Sequence, residues 1–81
     1  MILTPALCRA ARGLLDWTQS DLAEKASVSR STIRDYEGRR HEIHRATEAQ
    51  LRLAFEDGGV AFVEMDGLGW GVWAKNISSS E

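Results

Sequence analysis

Eighty-one residues with 43% hydrophobic content make one small domain, with enough apolar mass for a single modest core. The lone cysteine, Cys8, has no internal disulfide partner, which fits a reducing cytosol, and no apolar run approaches the roughly 20 residues of a membrane span. The net charge of −2 is unevenly spread: residues 1–53 hold nine Lys/Arg against seven Asp/Glu, whereas residues 54–81 hold one against five.

Thr4 followed by Pro5 starts the first helix, a cap and then proline at the first helical position. Leu7, Ala11, Leu14 and Leu15 are expected to face inward on it, and Arg9 and Arg12 outward. Asp16 sits at the break, and Trp17 packs in the core at the start of the second helix. Thr18 is the next N-cap, and Asp21 three residues later completes a capping-box pattern. Leu22, Ala23 and Ala26 supply the buried positions of that helix, and Ala26-Ser27-Val28 forms a turn.

Ser29 caps a third helix running toward Gly38. Val28, Ile33 and Tyr36 point inward together, which leaves Arg30, Ser31, Arg34 and Asp35 outward. A helix that buries one stripe and presents Arg and Ser at its N-terminal end suits a DNA major groove. Arg30, Arg34, Arg39, Arg40 and Arg45 concentrate around it, and local field rather than total charge governs attraction to phosphates.

A fourth helix is expected from about Ala46 to Asp57, with Leu51, Ala54 and Phe55 inward and Gly58-Gly59 ending it. The period then changes from helical to β. Val60 to Met65 and Trp70 to Lys75 read as two strands around the turn signal Asp66-Gly67-Leu68-Gly69. This hairpin carries Phe62, Val63, Trp70, Val72 and Trp73. Folding back over the bundle would cover these side chains; pairing with a second hairpin across a two-fold axis would also remove an open edge. The second arrangement is expected, with those five residues as the dimer interface. The serine-rich tail 76–81 is expected to be disordered.

The segment Trp17-Thr18-Gln19, Leu22-Ala23, Val28 to Ile33, and Tyr36-Glu37 with Gly38-Arg39-Arg40 resembles the helix-turn-helix of lambda repressor/Cro-type regulators, often called the XRE family. The likeness extends over Arg9 to Leu15 before it and His44 to Phe55 after it. Two departures stand out. Ser27 occupies a turn position where the family usually has Gly, and Gly38 follows Glu37 directly where the family glycine comes one residue later.

The resemblance implies a mainly α fold, a compact four-helix Cro/C1-type helix-turn-helix domain over residues 1–59, to which the residue pattern adds the C-terminal β-hairpin 60–75. It also implies sequence-specific binding of double-stranded DNA by a cytoplasmic transcriptional regulator, a repressor acting as a homodimer on an inverted repeat. Arg30, Ser31, Arg34 and Asp35 are then candidates for base contacts, and Thr18, Gln19, Thr32, Arg39 and Arg40 for phosphate contacts.

Other chemistry is poorly represented. His41, His44 and a distant Cys8 make a poor zinc site. No phosphate loop, nucleophile elbow or ligand cluster points to an enzyme or a cofactor. The competing reading is a protein-binding module, an antitoxin or adaptor whose hairpin holds a partner such as a toxin.

Overall fold

The computed structural model describes residues 2–75. Four helices, α1 (Pro5–Leu15), α2 (Gln19–Ala26), α3 (Arg30–Glu37) and α4 (Arg45–Gly58), are followed by strands β1 (Val60–Met65) and β2 (Gly69–Ala74). The expected fourth helix gains a residue at each end, and the second strand sits one residue earlier than its sequence pattern suggested. The tail expected to be disordered lies outside the described residues.

The helix starts follow from local side-chain chemistry. Thr4 accepts from the Leu7 amide and Pro5 opens α1. Thr18 and Asp21 exchange both bonds of a capping box at α2, and the Ser29 hydroxyl accepts from the Thr32 amide at α3. Each satisfies a donor that a helix N-terminus would otherwise leave unpaired.

The first three helices end alike. Asp16, Ser27 and Arg39 all adopt left-handed backbone, with φ of 59°, 59° and 62°. In each case the following amide reaches five residues back: Trp17 to the Arg12 carbonyl, Val28 to Ala23, Arg40 to Asp35. That is a Schellman closure, whose left-handed position favours glycine. Here none of the three is glycine. After α3 the left-handed residue is Arg39, two past Glu37, so Gly38 takes an ordinary φ of −84°. Replacing Arg39 with Gly should stabilise the fold by about 1 kcal/mol, because an L side chain is strained there. Urea denaturation measures this, and an unchanged midpoint would contradict it.

Leu22, Ile33, Leu51, Phe55, Val60 and Cys8 form the fully buried centre, with Leu3, Ala11 and Tyr36 around them. Trp17 stacks on Phe55 at 5.9 Å between ring centroids, and the Lys25 ammonium lies 5.2 Å from the Trp17 ring. Gly58 permits this packing, since a Cβ there would fall 2.6 Å from Trp17 Cη2. Gly58→Ala is therefore expected to cost about 1–3 kcal/mol through overpacking. A thermal melt within a degree of wild type would show that the indole shifts freely.

Two expectations for α1 are corrected. Leu14 is exposed, because α1 turns it away from the core while Leu7 and Leu15 pack against it. Arg12 does not simply face outward: its guanidinium reaches across to α3, as described below.

The hairpin is antiparallel, with Phe62 opposite Val72 at its centre and Ala61 opposite Trp73. It packs on α1 and α4. Alternation puts Val60, Phe62 and Val72 on the bundle side, and Phe62 meets Phe55 edge-on at 6.2 Å. No helix among the described residues is long and apolar enough to cross a membrane.

Candidate nucleic-acid interface

The recognition-helix candidate α3 is fixed at its C-terminal end and free at its N-terminal end. Glu37 is the one charged residue buried among the described residues, at 5% exposure. Its Oε1 accepts from Arg12 Nη2 at 2.8 Å and from Gln19 Nε2 at 3.0 Å; its Oε2 accepts from Arg12 Nε at 2.8 Å and from the Cys8 thiol at 3.1 Å. Arg9 Nη1 donates to the Glu37 carbonyl at 2.7 Å, and Arg12 Nη1 to the Trp17 carbonyl at 2.9 Å. One carboxylate thus ties α1, α2 and α3 together through a bidentate arginine fork.

The electrostatics follow from this geometry. Burial by itself would raise the Glu37 carboxyl, but the bonds from Arg12, Gln19 and Cys8 outweigh it and hold the group below the ordinary range. Burial, then the adjacent Glu37 carboxylate, pushes the Cys8 thiol up, so Cys8 stays protonated and donates. The Tyr36 hydroxyl is likewise pushed up, chiefly by burial, and donates to the Leu3 carbonyl at 2.8 Å. With the Leu3 amide donating to Glu48 at 2.6 Å, the N-terminal segment is pinned against α3 and α4.

The other end of α3 faces solvent. Arg30, Ser31 and Arg34 are exposed; Asp35 is half-buried and accepts from Arg34 Nε at 3.2 Å. The side chains of Thr18 and Thr32 are engaged locally, Thr18 in its capping box and Thr32 with the Ser29 hydroxyl at 2.6 Å. Gln19 is turned toward Glu37 rather than extended into solvent. Arg39 and Arg40 are exposed on the loop after α3.

Two open depressions flank α3. One, at the start of α2, is bordered by Arg9, Arg12, Gln19 and Arg30. The other lies between α3 and the following loop and includes Ser31, Asp35, His41, His44 and Thr47. Arg30 and Gln19 are thus brought together, as are Ser31 and Asp35, while Arg39 and Arg40 border a separate hollow beside the N-terminal segment. The sequence reading placed neither Arg9 nor Arg12 at the site. The only sequence signal was their presence on the helix before the motif. Of the five hairpin residues expected at an interface, Phe62 and Val72 pack against the core, and Val63, Trp70 and Trp73 remain exposed.

A family model described as helix-turn-helix matches residues 9–40, from within α1 to the loop after α3. No curated protein matches the chain. Residues 9–40 are thus a helix-turn-helix in sequence and in structure, with α2 and α3 as its two helices. Motif and bundle together support a DNA-binding, regulatory role in general.

Proposed function

We propose that this protein is a sequence-specific regulator of the lambda repressor/Cro type that binds double-stranded DNA. It acts as a dimer on an inverted repeat and represses by occupying its site. The observation that carries the reading is the polarity of α3: Glu37 is clamped at one end, and Arg30, Ser31 and Arg34 are exposed along the rest. A rigidly held helix presenting an arginine in its first turn suits bidentate contact with guanine O6 and N7. Ser31, Arg34 and Asp35 complete the base-facing set. Thr18, Gln19, Thr32, Arg39 and Arg40 are assigned to phosphates, joined by Arg9, which borders the same depression as Arg30. Gln19 would keep its bond to Glu37 and offer its second amide hydrogen to the DNA. In a two-fold dimer the two α3 helices are expected about 34 Å apart, one turn of the duplex.

One observation favours a second reading. The hairpin leaves Trp73 and Met65 exposed, which suits an antitoxin or adaptor that holds a partner protein. Enrichment of random duplex DNA on the purified protein at physiological salt separates the two. An inverted repeat that is lost with Arg30→Ala supports the regulator. No enrichment by folded protein would overturn it in favour of the partner-binding role.

A further inference from the structure

The side of the hairpin turned away from the bundle is made of Ala61, Val63 and Met65 on β1 and Gly69, Gly71 and Trp73 on β2. None of these carries charge. Trp73 is 68% exposed, Met65 56% and Val63 41%. Beside the large indole lies a gap: a Cβ at Gly71 or Gly69 would meet nothing within 4 Å. The face therefore has a projection and a trough two residues apart on one strand, about 7 Å.

We infer that this face binds a second copy of the chain, with each Trp73 seated in the trough over the partner's Gly71. A two-fold axis lying between the sheets and running parallel to the Phe62–Val72 rung, directly over it, relates the two positions, because Trp73 and Gly71 lie on one strand at equal distances either side of that rung. The same axis sets Ala61 over the partner's Val63, small against medium. It brings Lys75 next to the partner's turn, which carries Asp66, so the ends are complementary in charge. Two sheet faces packed with strands nearly aligned are a common arrangement. The recognition helix stays free, because the hairpin sits on α1 and α4 while α3 packs on α1 and α2.

Trp70 is not part of this contact, since it shares the bundle side of the hairpin with Phe62 and Val72. The apolar surface available amounts to a few hundred Å² per protomer, less than the about 800 Å² of a standard interface. Association is therefore weak and concentration-dependent in free protein.

The inference deepens the dimeric part of the proposed function, but its test uses protein alone, so loss of DNA binding does not enter. Sedimentation over about 1–500 µM should show a reversible monomer–dimer equilibrium. Trp73→Gly, which removes the projection, and Gly71→Trp, which fills the trough, should each weaken it at least about thirtyfold. The double exchange carrying both changes should restore it, because the two-fold axis then sets the indole at 71 over the partner's residue 73. Circular dichroism checks that every variant is folded. A wild-type chain that stays monomeric throughout, a dimer indifferent to both single changes, or a folded double exchange that fails to recover would each overturn the arrangement.

Discussion

Replacing Glu37 with alanine is expected to remove about 3–5 kcal/mol, a large share of the stability of the fold. The carboxylate accepts two bonds from Arg12 and one each from Gln19 and Cys8. Its removal strands a guanidinium whose side chain is only 20% exposed. Breaking one half of a buried ion pair costs about 3–5 kcal/mol, since the remaining charge is desolvated and unpaired. A domain of this size holds only about 4–12 kcal/mol in total. Chemical denaturation measures the loss, and a change below about 1 kcal/mol would show the network to be dispensable. Replacing Arg12 and Glu37 together by apolar side chains of similar volume should recover much of the stability, because the cost lies in the unpaired charge.

The same group gives acid sensitivity a definite sign. Glu37 is harder to protonate in the fold than in the unfolded chain. Its contribution is fully present above the ordinary glutamate value of about 4.3 and is lost as pH falls through its lower folded value. Wild type should therefore lose stability on acidification below about pH 4.3, whereas Glu37→Gln, less stable at neutrality, should show a flatter profile. Parallel profiles for the two proteins would place the acid-sensitive group elsewhere.

What the sequence disclosed was local chemistry. Thr4-Pro5, Thr18 with Asp21, and Ser29 act within three residues of the helix starts they define, so their spacing alone is informative. The exposed stripe of α3 follows from Ile33 and Tyr36 on one helix face. The Glu37 network was hidden because its central pair is separated by 25 residues, and no periodicity links Arg12 on α1 to the end of α3. Arg12 occupies a position that an amphipathic reading assigns to solvent, and only the crossing of the helices turns it inward. Leu14 shows the reverse: an apolar residue at a plausible inward spacing on a helix whose buried stripe is too narrow to include it. In the hairpin, alternation defined two faces. Which of them met the bundle depended on how β1 leaves Gly59, whose left-handed φ of 114° sets the direction of the strand. Phe62 and Val72 went to the core on that account, and Trp73 to solvent.

Arg30→Ala and Arg40→Ala are expected to damage DNA binding in different ways, and the contrast tests the polarity of α3. Arg30 stands in the first exposed turn of a helix held at its other end, so its guanidinium is placed to read a base edge. Its removal should cost about 1–3 kcal/mol at one or two base pairs and leave preferences elsewhere in the site intact. Arg40 lies in the loop after α3, where its amide completes the Schellman closure and its side chain is exposed. Losing that charge should weaken all sequences alike and reduce the slope of log K against log salt by about 0.9, the share of one phosphate. Both residues are exposed, so neither change should move the melting temperature by more than about a degree or two. Competition titrations against a panel of single-base variants, at several salt concentrations, separate the outcomes. If Arg30→Ala kept the rank order of the panel while lowering the salt slope, Arg30 would be a phosphate clamp. Base reading would then pass to Ser31 and Arg34, further along the same exposed stripe.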